Sequence, residues 1–150
     1  MYANDGKRFF PKSSMRSLMS TVYGSKFPEK GLEKLMLEQF GNHYLSDAFT
    51  DLTVATYDIE FRRGFFFKIA KAKRPELADE YDFLMRDVAR ATSAAPTYFS
   101  PASVQAKGFQ TQWHLVDGGV CANNPAMIGY REAMRIHGHD DICLVSIGTG

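Results

Sequence analysis

The sequence predicts an α/β domain, in which helices cover a central sheet. Segments with helical spacing alternate along the chain with segments of β-branched and aromatic residues. In the last third, a strand-like segment, a helical segment and a nearly all-apolar segment follow one another. This succession is typical of a βαβ unit, whose parallel strands are buried beneath helices. No repeat, low-complexity tract or Pro/Gly/Ser-rich linker divides the 150 residues, so we expect one domain or part of one.

The first third of the chain is helical by its spacing, because residues at i, i+3, i+4 and i+7 share one face of a helix. One apolar set with this spacing precedes Gly24: Met15, Leu18, Met19 and Val22. A second set lies between Pro28 and Gly41: Leu32, Leu35, Met36 and Phe40. Proline at the start and glycine at the end are typical helix boundaries, so two helices are predicted here.

The middle of the chain changes period. Residues 52–57 alternate and are rich in β-branched and aromatic side chains, which predicts a strand. Residues 61–69 predict a second strand, in which Gly64 suggests a bulge. From about Tyr81 to Thr92 the spacing is helical again, and Pro96 prevents the helix from continuing.

The last third contains the predicted βαβ unit. Residues 103–117 predict a hairpin that turns at Lys107-Gly108. Asn124 and Pro125 predict the start of a helix that runs to about His137. Residues 142–147 predict a strand buried on both faces. Because that strand runs into a glycine turn, which in α/β domains normally leads to another helix, we expect a piece of a larger domain.

Composition excludes several classes of protein. Lys and Arg number 18 against 17 Asp and Glu, and this near balance argues against a general nucleic-acid binder. Two cysteines cannot form a disulfide scaffold or a cysteine-only zinc site. No apolar run approaches the ~20 residues that a membrane-spanning helix needs. We therefore expect a globular chain. No metal ion or cofactor is expected.

Asp117 is the strongest candidate for chemistry. An apolar strand ends at this carboxylate, and Gly118 and Gly119 follow at once. Sites in open α/β sheets lie at the carboxyl ends of strands, and glycines permit tight turns and close approach. An aspartate that merely begins a turn is the alternative, since Asp-Gly is common in turns.

Three ordered segments connect Asp117 to a known family. They are Arg90-Ala-Thr-Ser-Ala-Ala-Pro-Thr-Tyr-Phe99, Asp117-Gly-Gly-Val-Cys-Ala-Asn-Asn-Pro125 and Ser146-Ile-Gly-Thr-Gly150. In this order they resemble the patatin-like phospholipases, a family of lipid acyl hydrolases. The resemblance is close over about 80–150, looser over 45–79 and vague before that.

The resemblance implies a three-layer α/β/α patatin-like fold, incomplete in this chain, and a Ser–Asp dyad without histidine. In that family, the serine lies in a Gly-x-Ser-x-Gly turn, and an upstream glycine-rich loop forms the oxyanion hole. The aspartate of an Asp-Gly-Gly or Asp-Gly-Ala motif accepts the serine proton. This last part corresponds to Asp117, so residues 1–150 are expected to be the C-terminal part of a patatin-like acyl hydrolase domain.

The chain departs from the family pattern because it contains no Gly-x-Ser-x-Gly. The nearest serine after a glycine, Ser25, lacks the second glycine. We expect the serine and the oxyanion loop upstream of Met1, and we expect the chain alone to be inactive. Two alternatives stay open: a non-catalytic binding or scaffold module, and one half of a split enzyme whose other half is a separate chain.

Other polar candidates have structural interpretations. His114 is three residues from Asp117, on the opposite face of a strand, and is expected to be a hydrogen-bonded sheet residue. His43 is expected in a loop, and His137 and His139 at a helix end without partners for a metal site. We expect Cys121 to be a small, partly buried apolar residue and Cys143 to be buried in the last strand.

Basic residues surround a run of phenylalanines. The basic members are Arg62, Arg63, Lys68, Lys71, Lys73 and Arg74, and the aromatic ones are Phe61 and Phe65 to Phe67. We expect a strand with aromatic side chains inward and a solvated basic turn; transient contact with a membrane surface is the functional alternative, ahead of nucleic acid. The expected partners are thus a phospholipid or other acyl ester and the missing N-terminal half, in cis or in trans.

Overall fold

The computed structural model describes residues 29–138 and 141–148. The helix predicted around Met15 to Val22 lies outside these residues. Within the described ranges, no helix combines the length and apolar character needed to cross a bilayer.

Four antiparallel strands form the sheet. They are β1 (Thr53–Asp58), β2 (Arg63–Lys68), β3 (Ala102–Gln105) and β4 (Gln112–Asp117). Their spatial order is β2-β1-β4-β3. The strands β1 and β2 pair with each other, as do β3 and β4, and the pairing of β1 with β4 joins the two halves of the sheet. The strands predicted at 52–57, 61–69 and 103–117 are confirmed.

Helices flank the sheet. Their bounds are α1 Glu29–Phe40, α2 Ile69–Ala72, α3 Ala78–Tyr81, α4 Met85–Thr92, α5 Gly119–Ala122 and α6 Ala126–His137, with a 3₁₀ turn at Leu45–Asp47. The helix predicted after Pro28 is α1; its Leu32 is buried, and Gly41 ends it at φ +53° with its N–H donating to Leu37 O.

The sheet is covered on both faces, as the α/β class requires. On one face, Val88 and Ala91 of α4 join Phe65 of β2 and Leu115 of β4 in the buried core. On the other face, α6 is attached to β2 by an ion pair between Lys68 Nζ and Glu132 Oε2 at 2.7 Å. Helix, sheet and helix therefore form three layers.

Aromatic side chains dominate the core beside β2. Phe83 packs edge-on against Phe67 and Phe65, with ring centroids 4.9 and 6.1 Å apart. Trp113 of β4 lies 4.8 Å from Phe65 by the same measure. Edge-to-face pairs of this kind add to the stabilisation from burial alone. They connect β2 to β4 and to the segment that precedes α4.

The strand predicted at 142–147 is wrong for the described part of the chain. These residues form no ladder with any described strand, and Leu144, Val145 and Ile147 are exposed. Consequently residues 29–138 and 141–148 contain no parallel strand pair and no βαβ unit. An apolar sequence can be buried only where a partner strand and covering helices are present, and here the described residues supply neither.

Two smaller expectations also need correction. Gly64 forms no bulge, because it pairs with Tyr57 in unbroken register; a Cβ here would contact the Phe66 ring and Cys121 Sγ at 3.2–3.3 Å. Of the helix predicted from about Tyr81 to Thr92, only Met85–Thr92 is one helix, α4; Tyr81 is the last residue of the separate helix α3. They separate at Asp82, whose carboxylate accepts hydrogen bonds from Ser46 N–H and Oγ–H at 3.0 and 2.8 Å.

Candidate active site

Asp117 is the last residue of β4. It pairs with Thr56 of β1, which places it in the interior of the sheet order at a strand end. Its backbone N–H donates to Ala94 O at 3.0 Å, on the loop that follows α4. The residue is half-buried, so the carboxylate belongs neither to the apolar core nor to open solvent. The sequence-based expectation of a carboxylate at a strand end is confirmed in an antiparallel sheet.

The carboxylate of Asp117 is held at one oxygen. Gly119 N–H donates to Oδ1 at 2.7 Å, a short charge-assisted distance. Among residues 29–138 and 141–148, no Lys, Arg or His forms an ion pair with Asp117, and none donates a hydrogen bond to Oδ2. One oxygen therefore fixes the orientation of the group, and the other can accept a proton.

Gly118 is needed for close approach. A Cβ at this position would lie 2.3 Å from Ala55 O and 2.5 Å from Ala55 C, distances that no side chain tolerates. Its φ of −62° is ordinary, so the glycine is not required by a left-handed conformation. The main chain beyond Asp117 thus packs directly against β1, and the short helix α5 begins at the next residue.

Gly119 leaves room beside the carboxylate. A Cβ there would lie 3.2 Å from Asp117 Oδ1 and 3.5 Å from Asn123 Oδ1, so both oxygens border the same small space. Sequence reasoning missed Asn123. Two asparagines, Asn123 and Asn124, precede Pro125 in the sequence. One side chain is enough to cap the start of a helix, so the second asparagine could have been singled out for another role.

The loop after α4 is hydrogen-bonded to the end of β4. It contains Ala94, which binds the backbone of Asp117, and Thr97, whose φ of +70° is rare for a β-branched residue. Its far end is fixed by Arg90, whose Nη2 donates to Ser100 O at 3.0 Å. Strained backbone of this kind is concentrated at functional sites in proteins.

Each histidine in the described part of the chain has a partner other than Asp117. His114 is a hydrogen-bonded sheet residue as expected: its Nδ1 lies 3.0 Å from Ser103 Oγ. His137 Nε2 pairs with Asp51 Oδ2 at 3.5 Å, and His43 Nδ1 with Asp47 Oδ2 at 3.6 Å. His139 lies outside the described residues.

Both cysteines differ from expectation. Cys121 is exposed as a whole residue, although its Sγ is turned toward Thr56 O and Gly118 O at 3.6 Å each. Cys143 is exposed because its segment does not enter the sheet. Across the described ranges, no three His, Cys, Asp or Glu side chains converge into a group that could hold a metal ion.

Several members of the basic and aromatic cluster have partners within the fold. Phe65 and Phe67 point into the core as expected. Phe66 does not, because it alternates with them along β2 and is only partly buried. Phe61 is 61% exposed beneath the guanidinium of Arg63. All three lysines of the cluster have partners in the fold. Lys68 forms an ion pair with Glu132, Lys71 lies over the Tyr81 ring, and Lys73 donates a hydrogen bond to Ala48 O. Arg62 and Arg74 are exposed.

A cavity of about 560 Å³ lies elsewhere, between α1, α4 and β3. Its lining includes Glu33, Asp87 and Arg90 but not Asp117. Burial raises the pKa of the Asp87 carboxyl there. The positive charge of Arg86 opposes this rise, and the negative charge of Glu33 adds to it. The cavity is therefore separate from the carboxylate at the end of β4.

Comparison with known proteins decides the family. The family model described as patatin-like phospholipase matches residues 4–130, most of the chain. The chain belongs to this family. The match extends further toward the N-terminus than the region from 80 onward in which the sequence resemblance was closest.

Patatin-like relatives agree over nearly all of this chain. Patatin-like protein 2 of Arabidopsis thaliana is 29% identical, over 94% of this chain and 38% of the relative. Probable inactive patatin-3-Kuras 1 of Solanum tuberosum is 30% identical, over 99% and 42%. Patatin-like protein 6 of Arabidopsis thaliana is 31% identical, over 99% and 31%. The chain thus spans less than half the length of these relatives.

Proposed function

We propose that this chain supplies the general base, Asp117, of a lipid acyl hydrolase of the phospholipase A or lysophospholipase type. Membership of the patatin-like family supports hydrolysis of acyl lipids. The observation that carries the proposal is the geometry of the carboxylate: Oδ1 accepts the Gly119 N–H at 2.7 Å, and Oδ2 has no partner among the described residues. A base needs this combination of fixed orientation and a free lone pair.

The proposed reaction is acyl transfer through a serine supplied by polypeptide outside this sequence. Asp117 accepts the proton of the serine hydroxyl while the serine oxygen bonds to the ester carbonyl carbon. The tetrahedral intermediate collapses, the ester C–O bond breaks, and the protonated Asp117 gives its proton to the departing alkoxide. Water then attacks the acyl-serine by the same route, releasing a fatty acid and restoring the serine. The substrate is a phospholipid or related acyl ester, met by transient contact with a membrane surface.

Asp117→Asn in the complete protein tests the proposal. Asparagine keeps an oxygen that can accept the Gly119 N–H, so the fold is expected to survive. It cannot take up the serine proton, and loss of a general base typically costs about 10²–10⁴-fold in rate. Asp51→Asn is the matched control, because Asp51 is exposed and pairs only with His137 among the described residues.

Ester hydrolysis and thermal unfolding are measured on both variants. We expect Asp117→Asn to lose activity at an almost unchanged melting temperature, and Asp51→Asn to retain both. Hydrolysis by Asp117→Asn at more than a tenth of the wild-type rate would remove this residue from the mechanism.

A second candidate is a patatin-like binding or scaffold module without catalysis. It is favoured by the absence of Gly-x-Ser-x-Gly from the 150 residues and by one relative named probable inactive. A complete protein that binds phospholipid vesicles but releases no fatty acid would support it. A split enzyme would instead regain activity when a separate chain carrying the serine is added.

A further inference from the structure

We propose that Asn123 contacts the alcohol half of the ester and so helps to determine which headgroup is accepted. This inference rests on the proposed function, because it places a substrate beside Asp117. It assigns a role to an exposed side chain at the end of α5 that the sequence alone did not single out.

The position of Asn123 is the first argument. Its Oδ1 and the Oδ1 of Asp117 both border the space above Gly119 Cα, at 3.5 and 3.2 Å from where a side chain would begin. Gly119 keeps this space empty. A ligand atom that entered this space would contact both the carboxylate of Asp117 and the carboxamide of Asn123.

The second argument is that the fold does not use this carboxamide. At the start of α6 the neighbouring Asn124 accepts the Ala126 N–H through its Oδ1 at 3.0 Å, so the local hydrogen bond is made by Asn124 and not by Asn123. No described residue forms a hydrogen bond with the side chain of Asn123. An exposed amide with one acceptor and two donors is therefore available to a ligand.

The reaction identifies which half of the substrate it contacts. Asp117 receives the serine proton and returns it to the departing oxygen, so the alcohol half must lie near its carboxylate. A carboxamide bordering the same space can hydrogen-bond the glycerol hydroxyl or a phosphate oxygen next to the ester. It would contribute to recognition of the alcohol and not of the acyl chain.

Two substrates with the same acyl group separate these contributions. One is a lysophosphatidylcholine, whose glycerol and phosphate can use the amide; the other is the p-nitrophenyl ester of the same fatty acid, which has neither group. We expect Asn123→Ala in the complete protein to lower the ratio of their kcat/KM values about tenfold. This is the size of one lost hydrogen bond to a substrate.

Asn124→Ser is the matched control, because a serine oxygen can also accept the Ala126 N–H and the space beside Asp117 is untouched. Its ratio is expected to equal that of the wild type. Asp117→Asn is measured in parallel and is expected to lose both activities. A wild-type protein inactive on both esters would overturn the proposed function and this inference together.

An active wild-type protein with an inactive Asp117→Asn variant isolates the inference. If Asn123→Ala then keeps the wild-type substrate ratio within twofold, Asn123 does not contact the alcohol half. An equal loss of both activities with a lowered melting temperature would also overturn the assignment, because it indicates a structural role.

Discussion

Replacing Gly118 by alanine is expected to destabilise the complete protein. The new Cβ would lie 2.3 Å from Ala55 O, 2.5 Å from Ala55 C and 2.7 Å from Ala55 Cβ, whereas ordinary contacts are 3.4–4 Å. Two of these atoms are main chain in β1, which is paired on both sides with β2 and β4. The strand β1 cannot move away without breaking its ladder with β2 or with β4. The turn after Asp117 must therefore shift by about 1 Å to bring the new Cβ to an ordinary contact distance from Ala55 O.

The expected cost is about 1–3 kcal/mol, the usual range for forcing an extra carbon into a packed site. It exceeds the ~0.4–1 kcal/mol that a Gly-to-Ala change gains by restricting the unfolded chain. Urea or thermal unfolding of the complete protein measures the difference, and the melting temperature is expected to fall by several degrees.

Gly129→Ala is the control with the opposite sign. Gly129 lies in the interior of α6, and a Cβ there would have nothing within 4 Å. Alanine in a helix interior is favoured over glycine by ~0.8–1 kcal/mol, so this variant is expected to be more stable than the wild type. If Gly118→Ala proved as stable as Gly129→Ala, the close packing of the turn against β1 would be refuted.

Two further predictions concern the carboxylates. Gly119→Ala keeps the N–H that binds Asp117 but places a Cβ 3.2 Å from Asp117 Oδ1. We expect kcat/KM for ester hydrolysis to fall about tenfold or more, at a nearly unchanged free energy of unfolding. An unchanged kcat/KM would contradict this prediction. Hydrogen bonds from Arg135 and then Lys68 hold the pKa of Glu132 below its ordinary 4.5 despite burial. The stability that ionised Glu132 gains from Arg135 and Lys68 is therefore present above pH 4.5 and is lost as the pH falls through the folded-state pKa. Glu132→Gln is expected to make the free energy of unfolding less dependent on pH in this acid range.

Local patterns were sufficient to predict most of the sheet and its candidate base. The strand β1 follows from alternation of β-branched and aromatic residues, and the hairpin of β3 and β4 from its glycine turn. Asp117 was placed at a strand end by its position after an apolar segment. These features depend on residues adjacent in sequence. They could therefore be inferred without knowing which distant residues they contact in the fold.

Features that depend on distant partners were not predicted. The break between α3 and α4 arises from Asp82 binding Ser46, 36 residues earlier, and from burial of Phe83 against β2. The role of Gly118 depends on Ala55, which only the pairing of β1 with β4 brings close. Burial of residues 142–147 was expected from composition, but an apolar segment does not specify what covers it.

The exposed segment from Ile142 to Ile147 has a practical consequence for anyone who expresses these 150 residues. Its sequence, Ile-Cys-Leu-Val-Ser-Ile, combines high β-propensity with no charge and no proline, and Val145 and Ile147 are 72% and 90% exposed. Short segments of this composition assemble into intermolecular cross-β stacks when their edges are unprotected. Aggregation from this segment alone could remove the polypeptide from solution and be mistaken for misfolding of the sheet.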